Sequence, residues 1–490
     1  MNVTPGRVVE AIDDTPAGAH IGAFFDLDGT LLHGFTAGAA CQNEVLGGHI
    51  GPADLARIVV AAIDNGLLGG SPGNLGKIGF RALRGRRAGA VTTAADRLFA
   101  KETARWIRPQ ARDIVQAHLR RGHTVAVASS ATRMQVEPVA RDLGIPHLIC
   151  TELEEQDGVL TGRSTTGMLW GEPKAAAVRA FARNHGVDLR QSFGYANGWE
   201  DIAFLGSVGR PCALNPHPVL RRAADEYGWP VLTLREARTP GPRAYLGTLA
   251  ALLGVNAGLT AGVAYGLLTG DRRRGMNTGI ALSAEAGLAL AGVKLDVVGA
   301  DILGKTRPAV FIANHQSTLD VLVLGALLRR DFTAVAKKEA RFDPRMMIIG
   351  TLLDPVWIDR ANPAAARKTL DGVVRRLRDG TSILILPEGT RMPTPTLGRF
   401  KKGAFHIAMQ AGVPIVPIVL RNTGELAWRR SMVVNPGTVE VAVLEPVTTD
   451  GWTAAGLDGR IAEMRHKFVD TLQNWPGSAD AGHVIHEEAP

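Results

Sequence analysis

The sequence predicts an α/β protein of two units, the first on a parallel sheet, joined by a membrane-associated helical hairpin. Two observations carry the sheets. Short apolar runs alternate with helical stretches up to residue 234, and the same alternation resumes after Val293. A third carries the hairpin: Ala244 to Gly270 holds no charged residue, and glycine recurs there at every fourth position.

Along the chain, Ile21–Phe25, Thr124–Ala128 and Ser192–Tyr195 read as buried strands, each ending at small or polar residues. The segment from Gly34 to Arg108 is helical in pattern and interrupts the first strand–helix unit, so it reads as an inserted cap (34–108) within a first domain at 1–234. The proline- and arginine-rich stretch REARTPGPR, 235–243, reads as a linker. The hairpin occupies 244–293. Gly254, Gly258, Gly262 and Gly266 share one face of its first helix; Gly279, Ser283, Gly287 and Ala291 share one face of its second. Faces this small let two backbones approach closely, and a homodimer through the first stripe is the alternative use. Ala309–Ala313, Ser382–Leu386 and Ile415–Leu420 read as core strands of a domain at 294–474, and 475–490 as a loose polar tail.

The first hairpin helix is long enough to cross a bilayer, which takes about 20 apolar residues. However, the connection Asp271–Arg274 and the flanks Arg243 and Lys294 are basic, and Glu285 falls midway along the second helix. Basic clusters stay on the cytoplasmic side, and a carboxylate is costly in hydrocarbon. The expectation is a monotopic hairpin on the cytoplasmic face of the cell membrane.

With 46% hydrophobic residues, the 490-residue chain can build more than one core. A net charge of +8 suits anionic lipid or phosphorylated substrates, whereas no basic run interleaved with aromatics points to nucleic acid. Cys41, Cys150 and Cys212 lack the spacing of a disulfide framework or a zinc site. Met1–His20 has no apolar run of the kind a secretory signal needs, so both catalytic units are expected in the cytosol.

The first apolar strand runs into Phe24-Phe25-Asp26-Leu27-Asp28-Gly29-Thr30. Asp26 can attack phosphorus to give an aspartyl-phosphate, and Asp28 can protonate the leaving oxygen and then activate water. A dianionic phosphate is repelled by carboxylates, so a cation such as Mg²⁺ is needed. Further along, Ser129 follows a strand and can hold a phosphate oxygen, with Ser130 as its competitor. Lys174, in Gly171-Glu172-Pro173-Lys174, can neutralise the phosphoryl group. Asn197 and Asp201 lie in GYANGWED, followed by Asn215-Pro216. This ordered set, over Ile21 to Leu234, resembles the phosphoserine-phosphatase-like branch of the HAD phosphatases. The resemblance implies a HAD-like Rossmannoid parallel sheet with a helical cap. It also implies that Asp26, the Asp28 carbonyl, Asn197 and Asp201 surround Mg²⁺. Asn197 stands where many relatives carry Asp, and a non-catalytic pseudo-phosphatase scaffold is the alternative. The phosphate monoester it would act on is not written in the motifs.

In the last section, strand Ala309–Ala313 runs into Asn314-His315-Gln316-Ser317-Thr318-Leu319-Asp320. A helix starting here can bring Asp320 under the imidazole, fixing its tautomer so that His315 acts as general base on a hydroxyl. Then come Ile358-Asp359-Arg360, Leu386-Pro387-Glu388-Gly389-Thr390-Arg391, Phe400-Lys401-Lys402-Gly403 and Val413-Pro414-Ile415. Arg360, Arg391 and Lys401 or Lys402 suit a phosphate. Gly389 lets backbone approach substrate, and Glu388 reads as orienting Arg360 or a substrate hydroxyl. These motifs, over Pro308 to Pro446, resemble the glycerolipid acyltransferases that include 1-acylglycerol-3-phosphate acyltransferases. The resemblance implies an α/β acyltransferase domain that takes acyl-CoA or acyl-carrier-protein as donor. Lysophosphatidic acid is the first acceptor expected, with glycerol 3-phosphate or another lysophospholipid as the alternative. In one chain, the two sites act either in sequence, toward diacylglycerol, or on separate substrates.

Overall fold

The computed structural model describes residues 2–46, 78–236, 239–338, 355–358 and 363–476. They belong to two compact units, Met1–Ala237 and Arg238–Pro490.

The first unit contains β1 (Asn2–Val3), β2 (Gly22–Phe25), β3 (Thr124–Thr132), β4 (His147–Thr151), β5 (Leu153–Gln156), β6 (Val159–Ser164), β7 (Phe193–Ala196), β8 (Arg210–Leu214) and β9 (Val231–Leu232). Seven of these form one parallel sheet in the order β1-β9-β8-β7-β2-β3-β4. The fully buried run Gly22–Phe25 suits the centre of a sheet covered on both faces. Side chains alternate between the layers: Phe25 packs with Val127 and Tyr195, Phe24 with Ala126 and Ala196. The loop after β2 therefore opens at the carboxyl end of the central strand, where ligands of such sheets bind.

Three features differ from the expectation. β3 continues past Ala128 to Thr132 with a register shift against β4, so Ser129 and Ser130 lie within a distorted strand end, not after it. β1 is too short to leave a period in the sequence. β5 and β6 form an antiparallel hairpin outside the sheet. This hairpin docks on the helical cap: Ala88 N donates to Gly158 O at 2.9 Å and Leu160 N to Arg86 O at 2.9 Å. Leu160 is buried against Ala88 and Val91. The cap's described helices are Thr36–Leu46 and Ala88–Lys101; residues 47–77 of the expected cap lie outside the described residues.

The second unit contains β10 (Val293–Val298), β11 (Val310–Ala313), β12 (Phe332–Lys337), β13 (Val356–Ile358), β14 (Ser382–Ile385), β15 (Ile415–Leu420) and β16 (Gly437–Val443). Their order is β10-β16-β15-β11-β14-β12-β13. Within this sheet, β15–β16 is the one antiparallel pair among the described strands. Again the first catalytic-motif strand, β11, is central and wholly buried.

An outer helix, Pro242–Thr269, and an inner helix, Arg272–Leu290, form the hairpin. Arg272, Arg273 and Arg274 thus open the inner helix instead of forming the turn. The Asp271 side chain caps them, accepting from Arg274 N at 3.0 Å. Backbones meet along the small-residue stripes: a Cβ on Gly258 would lie 2.4 Å from Ser283 N, and one on Gly262 2.4 Å from Gly279 Cα. The stripe is consumed within the chain, which removes it as a homodimer surface. The inner helix also packs on Leu319–Leu328, where a Cβ on Gly325 would meet Ala284 at 3.2 Å. Glu285 pairs with Arg329, and Arg273 Nε sits 2.6 Å from Asp331. The far side of the outer helix is open: Leu246, Leu249, Leu253, Leu267 and Leu268 are all exposed.

The expected tail also changes. Trp475 is buried in the core beneath the second sheet, with the Arg421 guanidinium 5.3 Å from its ring. A large aromatic ring with apolar surface to cover stays packed. Residues 477–490 lie outside the described residues.

Candidate active sites

The first site forms where the loops after β2 and β7 meet the start of helix Glu172–His185. Asp26 is buried, and its Oδ1 lies 2.7 Å from Lys174 Nζ. The same ammonium lies 2.7 Å from Asp201 Oδ1. The Thr30 hydroxyl is 3.1 Å from Asp26 Oδ2 and 3.2 Å from the Asn197 amide oxygen. Gly29 is obligatory here: its φ is +81°, and a Cβ would lie 2.1 Å from Asn197 Nδ2. Asp28 accepts from Thr36 N at 2.9 Å and Thr36 Oγ1 at 3.0 Å, which holds it under the cap's first helix. Ser129 is buried and accepts from Ala131 N at 3.1 Å. Ser130, the competing residue, offers its carbonyl to Thr151. Thr30 is part of the motif but has no role assigned from sequence, and Thr36 is not singled out there, because a threonine near a turn has many local uses.

Charge is unbalanced in this cluster. Three carboxylates stand together, two of them paired with the one ammonium. Burial, reinforced by Asp26, pushes Asp28 up to about 7 against the pull of the Thr36 hydrogen bonds. Burial likewise raises Asp201. Lys174 is driven upward: its two carboxylates outweigh its own burial. Such a site favours its carboxylates only if more positive charge arrives. The donors are hard oxygens, which fit Mg²⁺. Among the described residues no three His, Cys, Asp or Glu side chains stand at metal-ligand spacing. Two carboxylates, the Asn197 amide and the Asp28 carbonyl would have to complete the set.

The second site begins where β11 ends. Asn314 is buried, donating to Leu420 O at 2.7 Å and accepting from Leu420 N at 2.8 Å, which ties the loop to β15. His315 Nδ1 lies 2.7 Å from Asp320 Oδ2. That carboxylate oxygen also takes Gln316 N at 2.8 Å and Ser317 N at 2.9 Å. Asp320 is completely buried at the start of helix Leu319–Leu328, whose N-terminal dipole favours its charge. With Nδ1–H donated to Asp320, the lone pair is on Nε2, which makes no hydrogen bond among the described residues. The His315 side chain stays 17% exposed, so that face is reachable.

Both Glu388 oxygens accept from backbone amides. His315 N donates to its Oε1 at 2.8 Å and Gly398 N to its Oε2 at 2.8 Å. Burial holds its carboxyl above the usual range, partly offset by those two amides. Its role is to fix the loop that carries the base. Met392 N donates to His315 O at 2.7 Å, which sets the Arg391 turn beside that loop. Gly389 takes φ +70° at the turn itself. Lys401 is exposed, its N donating to Pro387 O at 2.9 Å. The competing Lys402 is 2.8 Å from Asp458. Arg360 lies outside the described residues. Gly398 and Ser317, whose hydroxyl donates to Ala427 O at 2.6 Å, were missed. Their partners are far along the chain, and no local pattern marks them.

The folds and sites define a two-part protein, a HAD-like hydrolase unit followed by an α/β acyltransferase unit. Family models match accordingly: haloacid dehalogenase-like hydrolase over residues 23–206 and acyltransferase over 294–421. An uncharacterized acyltransferase of Schizosaccharomyces pombe is 37% identical over 198 residues, 39% of this chain and 71% of that protein. The 1-acyl-sn-glycerol-3-phosphate acyltransferase of Saccharomyces cerevisiae is 36% identical over 187 residues, 38% of this chain and 61% of that protein. The chain thus spans less than two thirds of the yeast enzyme's length. A solved structure, the 1-acyl-sn-glycerophosphate (LPA) acyltransferase PlsC from Thermotoga maritima, is 24% identical with a TM-score of 0.41, covering 47% of this chain and 96% of that one. The chain belongs to the acyltransferase family and carries a HAD domain at its N-terminus.

Proposed function

We propose that the second unit acylates lysophosphatidic acid to phosphatidic acid with acyl-CoA as donor. The contact of 2.7 Å between His315 and a wholly buried Asp320 carries this reading. Nε2 of His315 takes the proton of the acceptor hydroxyl as its oxygen attacks the thioester carbonyl. Asp320 stabilises the imidazolium. The tetrahedral intermediate expels the CoA thiolate, which receives that proton from Nε2. No acyl-enzyme forms. Purified full-length protein given lysophosphatidic acid and acyl-CoA is expected to release free CoA and phosphatidic acid in equal amounts. CoA release without phosphatidic acid would count against the acceptor.

The first unit is read as a phosphatase. Asp26 attacks the phosphorus, Asp28 delivers a proton to the departing oxygen, and Lys174 and Ser129 face the phosphoryl oxygens. Asp26, the Asp28 carbonyl, Asn197 and Asp201 would hold Mg²⁺, which supplies the positive charge that the cluster lacks. Phosphate release from a generic monoester should require Mg²⁺ and vanish in Asp26→Asn; no release from any ester would favour the scaffold reading.

The hairpin is read as a monotopic anchor on the cytoplasmic face. The inner helix is bound along its length to the α/β unit, whereas the outer helix presents its leucines outward. Replacing Leu246, Leu249 and Leu253 with serine should abolish flotation with anionic vesicles. Undiminished flotation would refute the anchor.

A further inference from the structure

The second unit holds an arginine that no motif assigns. Residues 427–434 (AWRRSMVV) form a loop between helix Thr423–Leu426 and β16. Both ends of the loop are tied down. Ser317, within the His315–Asp320 loop, donates its hydroxyl to Ala427 O at 2.6 Å. Asn435 N closes onto Leu426 O at 2.8 Å. Inside it, Ser431 N turns back to Trp428 O at 2.7 Å. Arg429 is therefore two residues from a direct bond to the base-bearing loop. Arg391 is one residue from another, since Met392 N binds His315 O. Backbone bonds thus tie the segments that carry both arginines to the same loop.

Their surroundings are unusual. Arg429 is half-buried. Burial, then the charges of Arg430 and Arg391, hold its guanidinium below the usual range. Arg429 has no carboxylate partner among the described residues. A partly desolvated guanidinium beside two like charges is a costly arrangement. An anion bound between Arg429 and Arg391 reverses that cost. Guanidinium forks match phosphate oxygens in pairs.

We propose that Arg429 and Arg391 together grip the phosphate monoester of the acyl acceptor, setting its hydroxyl beside His315. The proposal rests on the acceptor reading above and deepens it. CoA also carries phosphates, so the assignment is specific to the acceptor and is tested against the donor.

The test is steady-state kinetics of the full-length protein, varying lysophosphatidic acid and acyl-CoA separately, for the unmodified enzyme, Arg429→Ala and Arg429→Lys. Loss of a charge-assisted pair should raise KM for lysophosphatidic acid about ten- to a hundredfold in Arg429→Ala. KM for acyl-CoA should move less than about twofold, because uniform binding of one substrate alone is lost. Arg429→Lys, which keeps the charge but not the fork, should fall between; it also decides the matter if the alanine variant does not fold. Unchanged KM values in both variants would overturn the clamp. A rise for acyl-CoA alone would overturn it too, assigning the anion to CoA. If the unmodified enzyme acylates no lysophosphatidic acid, the acceptor reading fails and takes this proposal with it.

Discussion

The two sites share one address and differ in how charge is held there. Each lies beyond the carboxyl end of a central, fully buried parallel strand. In the first, three carboxylates crowd a single buried lysine, and two of them are pushed upward by burial. In the second, one oxygen of Asp320 takes an imidazole and two backbone amides, and Glu388 takes two more amides. The first site is short of positive charge. The second already pairs its imidazole with a carboxylate. A site of the first kind titrates with its surroundings, whereas one of the second kind holds its base in place before substrate arrives.

The largest effect should separate the sites outright. Asp26→Asn removes the nucleophile and should lower phosphate release by about a thousandfold or more, with acyl transfer unchanged. A parallel loss of acyl transfer would mean that the sites are not independent. Next, Asp320→Asn keeps the shape but turns an amide toward Gln316 N and Ser317 N. It should cost about a hundred- to ten-thousandfold in kcat for acyl transfer, read with both substrates saturating. A drop under tenfold would mean that the tautomer is fixed some other way.

Stability effects are smaller. Lys174→Met leaves Asp26 and Asp201 buried without their shared cation, and should destabilise the first unit by about 3–5 kcal/mol in urea unfolding. Added Mg²⁺ should recover part of this if the oxygens hold the ion, and none if they do not. Gly258→Leu should lower the melting temperature of the second unit, at a cost of about 1–3 kcal/mol, since the new side chain meets Ser283 backbone.

The smallest effect is a pH dependence peculiar to the first unit. His118 is wholly buried, its rings of contact being His123 at 2.9 Å and the Tyr195 hydroxyl at 3.0 Å. Burial, and then His123, hold it well below 6.5. The fold therefore keeps it neutral. Its contribution is complete above pH 6.5 and is lost as pH falls, because the unfolded chain takes up the proton first. The slope is about 1.4 kcal/mol per pH unit for that proton. Hydrogen exchange at Phe193–Ala196 should quicken between pH 6.5 and 5 after correction for intrinsic rates. A flat profile would contradict it.

Chemistry was more legible in the sequence than architecture. Asp26 and His315 announce themselves as ionisable groups just past strands, Lys174, Asp201 and Asp320 as charges in the motifs that follow, and the structure brings each set together. The central strands were legible because both faces are buried and read as continuous apolar runs. What stayed hidden depends on distant partners. The β5–β6 hairpin is short and polar, and only the cap's backbone reveals it. Glu388 looks like a ligand in sequence, yet its oxygens are taken by amides of His315 and Gly398. Trp475 begins a polar stretch but buries its ring. The three arginines after Asp271 read as a turn, but a side-chain cap starts the helix there.

The central claim is that His315 is the base that opens acyl transfer. His315→Ala, assayed for phosphatidic acid from lysophosphatidic acid and acyl-CoA, should lose about three orders of magnitude in kcat while its melting profile and its phosphate release stay as in the unmodified protein. Phosphatidic acid formed at the unmodified rate by that folded variant would contradict the account.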